Sequence, residues 1–235
     1  MDIEGFTTTK GLGFKPAEAI TLCLKDKNPF HTSKVVYCGD TKLCTIKAHS
    51  FLGSTPDFQL LAATRGKQCL LYAKGNKAKT SFEWKVTAGK KNGLCCATIK
   101  AKRASRYSPL AYNVQVELAE DFKDGITHVE KVSCYSQTFF FKRTGNKVAR
   151  LILKKCSSFT GRRTYEVFAK RGEHLGLVLV LCSLIDWLRR VSASYNETSD
   201  STSSSSSDGG SSVAAYSGCS VVLSCDGGGG GICGC

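Results

Sequence analysis

The sequence predicts an all-β fold with one helix, a closed barrel of roughly twelve strands around a buried hydrophobic C-terminal helix. Three observations carry this. From Val35 to Phe168 apolar residues recur with a period of two, which marks strands. Four segments repeat one pattern, a glycine-centred turn followed by alternating apolar residues that end in Lys. One wholly apolar stretch, Leu175 to Leu188, closes the strand-rich region.

Taken in order, a first strand is expected over 20–24. The four repeated segments are Gly39–Lys47, Gly66–Lys74, Gly93–Lys100 and Gly145–Lys154. Strand-like runs precede them at Val35–Tyr37, Phe58–Leu61, Phe82–Val86 and Thr138–Phe141. Glycine tolerates the positive φ of tight turns, so each unit reads as a β-hairpin. Further strands are expected at 112–118, 129–135 and 164–169. Four prolines in the whole chain suit long, paired strands. A dozen strands in an open sheet would leave exposed edges, and closure removes them. A barrel that wide has an interior too large for strand side chains alone, and the apolar stretch is the natural filling. It is apolar on every face, as in a helix buried within a domain. Its 14 residues include Asp186 and fall short of the ~20 that a membrane span needs. Arg189 and Arg190 suit its C-terminus, where cations complement the helix dipole.

The domain reading is an N-terminal extension over 1–17, the barrel over 18–190 and a disordered tail over 191–235. The chain has 235 residues and a net charge of +14, and all 33 Lys and Arg precede Val191. The body to Arg190 therefore carries +18, and the tail, with Glu197, Asp200, Asp208 and Asp226, carries −4. The tail is Ser- and Gly-rich, with a run from Ser203 to Ser207 and five consecutive glycines, and cannot bury enough apolar surface to order itself. The first residues contain no apolar signal core, and position 2 is Asp, so neither export nor N-myristoylation is expected. Thirteen cysteines, an odd number without recurrent spacing, argue against a disulfide framework and for a reducing compartment. The expected location is cytoplasmic, with a peripheral place at the plasma membrane.

A body this basic favours anionic partners. The densest cluster is Lys100, Lys102, Arg103 and Arg106, with Lys90 and Lys91 upstream. These six are the candidate lipid- or anion-binding residues, because Arg and Lys can fork onto phosphate oxygens. Lys154, Lys155, Arg162 and Arg163 form a second cluster; the bland reading of both is a solvated face. Cys219, Cys225, Cys233 and Cys235 in the tail are candidate acylation sites, which beside a basic domain would complete a two-signal anchor; unmodified thiols are the alternative. No catalytic residue, metal site or cofactor is expected. The four histidines lie far apart and read as turn or surface residues, and no hydrolase or phosphate-loop string is present.

The hairpin units and the closing segment Thr164 to Asp186, a strand, a short Gly loop and an apolar helix ending in Asp, resemble the Tubby C-terminal-like superfamily. The resemblance is to its LURP-one-related branch, itself similar to phospholipid scramblases, and covers about residues 18–190. It implies a 12-stranded barrel wrapped around a central hydrophobic helix, and in Tubby proteins the barrel surface holds phosphoinositide head groups. The expected function is a non-enzymatic peripheral membrane adaptor that binds anionic lipid through its basic surface. The alternatives are a nucleic-acid- or protein-binding barrel and a scramblase-like membrane protein.

Overall fold

The computed structural model describes residues 15–28, 31–49, 54–63, 68–78, 81–105, 111–157 and 160–200. The period of two becomes an inside and an outside. Tyr112, Val114 and Val116 point inward and Asn113, Gln115 and Glu117 outward along one strand, and the segment 163–169 alternates in the same way. The strands are β1 (Ile20–Asn28), β2 (His31–Cys38), β3 (Thr41–His49), β4 (Asp57–Ala62), β5 (Cys69–Lys77) and β6 (Ser81–Ala88). They continue as β7 (Cys95–Arg103), β8 (Ala111–Leu118), β9 (His128–Ser133), β10 (Thr138–Arg143), β11 (Asn146–Cys156) and β12 (Arg163–Ala169). Each pairs antiparallel with its sequence neighbours, and β1 closes the ring on β12, Leu22 opposite Val167 and Leu24 opposite Tyr165. The closed 12-stranded barrel is the predicted fold class.

Turn chemistry explains the hairpins. Between β10 and β11 both Thr144 (φ 46°) and Gly145 (φ 86°) adopt the left-handed region, as a two-residue turn matched to strand twist requires. Gly39 (φ 55°) does the same between β2 and β3.

Helix α1 (Leu175–Asp200) runs through the barrel. Every residue from Leu175 to Asp186 is buried, so the all-round apolar face is used all round. Its Leu, Val and Ile side chains each contribute about 1.5–3 kcal/mol by burial. Trp187 closes one end of the core, edge-on to Phe82 (4.9 Å) and Trp84 (5.5 Å). The helix does not stop at Arg190, where the disordered tail was expected to begin. Ser192 is buried with its hydroxyl donating to the Leu188 carbonyl at 2.9 Å, and the helical backbone continues to Asp200. Among the described residues no helix is long and apolar enough to cross a membrane.

The up-and-down path gives the barrel two distinct ends. Turns 38–41, 62–69, 88–95, 118–128, 143–146 and 169–175 gather where α1 begins, the Glu173 end. Connections 28–31, 49–57, 77–81, 103–111, 133–138 and 156–163 gather where α1 leaves, the Arg190 end. Lys15 and Pro16 fold onto the Glu173 end, with Gly172 N–H donating to the Pro16 carbonyl at 2.9 Å. Lys15 and Pro16, in the stretch read as an N-terminal extension, thus contact the barrel.

Candidate functional site

At the Arg190 end two carboxylates sit inside the barrel among four cations. Lys34 faces inward from β2 with no exposed surface and donates to Asp26 (2.5 Å) and Asp186 (2.9 Å). Asp186, in α1, also accepts from Arg163 at 2.8 Å, from Arg190 at 3.2 Å and from the Tyr165 hydroxyl. Asp26 accepts from Arg190 at 2.9 Å and from the Arg163 backbone N–H at 2.9 Å. Arg189 reaches the Tyr165 hydroxyl and the Cys134 carbonyl. Burial alone would raise the Asp186 carboxyl, but Lys34, Arg190 and Arg163 reverse this and hold it well below the usual range. Burial followed by the Asp186 charge pushes the Tyr165 hydroxyl up, so it stays a donor. Asp186 is thereby a pin that ties α1 to β2 and β12.

The outside of this end is different. Lys27, Lys77, Lys102, Lys155 and Arg162 are all exposed, and none has an acidic partner among the described residues. Arg103 is exposed beside them. Asp26 and Asp186 are turned inward as above, while Asp57, half-buried, accepts from the Tyr72 hydroxyl and the Gly75 N–H. Glu83, on the outer face of β6, is the exposed exception. Tyr135 stands 73% exposed in the β9–β10 turn at the same end. The product is a ring of cations around the emerging helix, with an aromatic tip suited to an interface between water and lipid head groups.

The six predicted binding residues do not form one patch. Lys102 and Arg103 belong to this rim. Lys90 and Lys91 sit in the β6–β7 turn at the Glu173 end, beside Leu94, which is 64% exposed. The eight steps of β7 from Cys95 to Arg103 separate the two groups by about 26 Å. Lys100 lies between them on the outer face, its ammonium held by both oxygens of Glu117 at 2.7 Å and Glu83 opposite on β6. The Glu117 hydrogen bond raises its pKa, and its charge is largely answered by those neighbours. Arg106 and the four tail cysteines lie outside the described residues. Of the second cluster, Lys155 and Arg162 are on the rim, Lys154 pairs with Glu166 at 3.3 Å, and Arg163 turns inward. Lys27, Lys77 and the interior Lys34–Asp26 pair were not foreseen. Lys34 shares its parity with buried Val36, which is the signal that could have found it.

The Glu173 end carries mixed charge, part of it in close pairs, and also exposes Lys42, Lys90, Lys91, Lys147, Lys170 and Arg171. Asp124 accepts from Lys15 at 2.7 Å and lies 3.3 Å from His174 Nε2. Those hydrogen bonds, Lys15 first, lower its pKa to about 2. His174, expected at a turn or surface, is buried at the start of α1 against Phe122, and burial lowers its pKa. Glu173 is also buried, which raises its pKa; Arg143 stands 3.2 Å away without aligning a hydrogen bond. Among the described residues no cluster of His, Cys, Asp and Glu has the makings of a metal site. The nine described cysteines are all free thiols, and burial raises those of Cys44, Cys96 and Cys182.

No family model matches the chain, and comparison with curated proteins and with solved structures finds no match.

Proposed function

We propose that the protein is a non-enzymatic peripheral membrane adaptor of the Tubby-like, LURP-one-related kind. In this reading it holds anionic lipid head groups, phosphoinositide or phosphatidylserine, on the basic rim at the Arg190 end. The observation that carries this is the segregation of charge there: exposed cations outside, with Asp26 and Asp186 drawn inside. Each basic side chain close to an anionic leaflet contributes about 1 kcal/mol, so five or six support reversible binding at moderate salt. Tyr135 adds an aromatic contact at head-group depth. A peripheral position is favoured over an inserted one by the outer face of the barrel. Lys74, Lys85, Glu117 and Arg150 are exposed there, and charges on a lipid-facing strand surface cost up to about 2–4 kcal/mol each at the midplane.

The test is flotation of the full chain with vesicles of phosphatidylcholine alone, or with phosphatidylserine or phosphoinositide added, at low and physiological salt. Flotation with anionic vesicles only, lost in the K102A/R103A/K155A/R162A variant, supports the reading. Absence of flotation, together with tight and salt-sensitive binding of single-stranded RNA or DNA, replaces it with nucleic-acid recognition.

A further inference from the structure

Residues far apart in sequence meet on one outer wall of the barrel, and aromatic and basic side chains alternate there. Phe140 on β10 stands between buried Phe139 and Phe141, and Phe168 on β12 between buried Val167 and Ala169, so both point outward. The register sets Phe140 opposite Arg150 and Arg150 opposite Phe168, one row across three strands. Tyr37 on β2 continues the track in the next row, where Cys23 faces Glu166 on one side and Tyr37 on the other. Rings thus recur at every second strand, about 10–12 Å apart. Each carries a cation on its face. Lys147 Nζ lies 3.9 Å from the Phe140 centroid, the Arg150 guanidinium 5.4 Å from that of Phe168, and Lys25 Nζ 5.2 Å from that of Tyr37.

The charge of this wall is one-sided. Lys25, Lys147 and Arg150 are exposed and have no acidic partner among the described residues. The acids in strands β10 to β12 and β1 to β3 are Asp26, which is buried, and Glu166, which pairs with Lys154 at 3.3 Å. The opposite wall, β5 to β8, exposes Glu83 and Glu117, and Glu117 holds Lys100.

We propose that the wall formed by β10, β11, β12, β1 and β2 binds single-stranded nucleic acid. Its bases stack on Phe140, Phe168 and Tyr37, and its phosphates meet Lys25, Lys147 and Arg150. Charge complementarity calls for a polyanion, and the rings select one whose bases have open π-faces. A duplex covers its bases and is read by an element that enters a groove, which a convex wall does not. Half-buried rings on such a wall cannot penetrate a head-group layer as the Tyr135 tip can, but a base can come down onto them. A base on Phe140 or Phe168 extends the ring–cation stack, while the long stems of Lys147 and Arg150 turn their charges to the flanking phosphates. This wall is separate from the rim, so the site stands independently of the lipid-binding reading above.

The full chain is titrated with fluorescein-labelled oligo-dT and oligo-U of roughly ten nucleotides, and with an abasic deoxyribose-phosphate strand of equal length. Anisotropy is read at about 50 and 200 mM salt. Expected is saturable binding of both base-bearing strands that weakens roughly ten- to twentyfold between those salts, as about three neutralised phosphates imply. The abasic strand should bind about tenfold or more weakly. F140L/F168L, which keeps apolar side chains at both positions, should lose about tenfold or more for oligo-dT and nothing for the abasic strand. K147A/R150A should flatten the log–log salt slope by about 1.4. The rim variant K102A/R103A/K155A/R162A should stay within about threefold of the unsubstituted chain, because salt screens distant charges. The proposal is overturned by no binding at the lower salt, or by a larger loss in the rim variant than in the wall variants. It is equally overturned by an abasic strand held as tightly as oligo-dT, the behaviour of a surface that attracts any polyanion. Should F140L/F168L fail to fold by circular dichroism, the exposed pair K147A/R150A and the abasic comparison decide alone.

Discussion

The two ends of the barrel both expose cations but place their described acids differently. At the Glu173 end some acids and bases meet in the open, Lys15 with Asp124 and Lys123 with Glu120, while Arg143 lies beside the buried Glu173. At the Arg190 end the carboxylates that would have answered the rim are drawn inward by Lys34, Arg163 and Arg190. The difference teaches that a surface potential is set as much by where the opposite charges are buried as by how many cations the chain has. An exposed pair such as Lys123–Glu120 adds little stability and cancels the local field. A buried one adds fold specificity and leaves the field outside uncancelled.

The comparison breaks most sharply at Asp186. Its replacement by Ala leaves Lys34 and Arg163 short of their partner in the interior, and the expected loss is about 3–5 kcal/mol in chemical denaturation. Asp124→Ala, the open-air counterpart, is expected to lose under about 1 kcal/mol. Next in size is binding. The K102A/R103A/K155A/R162A variant removes up to about 4 kcal/mol of attraction to anionic vesicles at low salt. K90A/K91A, at the other end, is expected to change flotation far less; equal losses would mean the rim is not the docking surface.

Acid separates the ends in a third way. The Asp186 carboxyl is held below its unfolded value near 3.8, so the stability it contributes is present above that pH. It is lost progressively as pH falls through about 4 toward its folded value. Denaturation midpoints should therefore drop with pH in the unsubstituted chain and flatten in D186N, while D124N keeps most of the slope because its carboxylate is largely exposed. The smallest expected effect is Lys100→Ala. With Glu117 holding that ammonium, vesicle affinity should change by less than about twofold, and a loss as large as that of Lys102→Ala would show the pair to be open in solution.

Much of the architecture was legible because it is written in short-range terms. Gly39 and Gly145 mark turns whose φ only a few residues accept, the parity of β8 and β12 reads directly as an inner and an outer face, and the stretch from Leu175 has no polar side to show. The site was less so, for a physical reason. Lys34 and Asp186 are 152 residues apart and neither looks special alone; the meaning lies in their pairing. Lys90, Lys91, Lys102 and Arg103 lie close in sequence, yet a strand intervenes and carries the two pairs to opposite ends of the barrel. The boundary at Arg190 misled because composition changes there while the helix does not. Ser192 and Ser194 return their hydroxyls to the carbonyls of the preceding turn, and the helix tolerates them.

The element that fills the barrel is also the last of its elements to leave the ribosome. At about 5–20 residues per second, the strands wait on the order of ten seconds or more for α1, with their apolar faces unanswered and β1 unable to meet β12 across nearly the whole domain. Closure therefore waits until the whole domain has been synthesised, and the nascent chain is a natural client of chaperones that shield strand edges. A chain cut before Leu175 should remain bound to them or precipitate, which pull-down from an in vitro translation reaction would show. In this fold the hydrophobic core does not nucleate the wall; the wall must be held open until its core arrives.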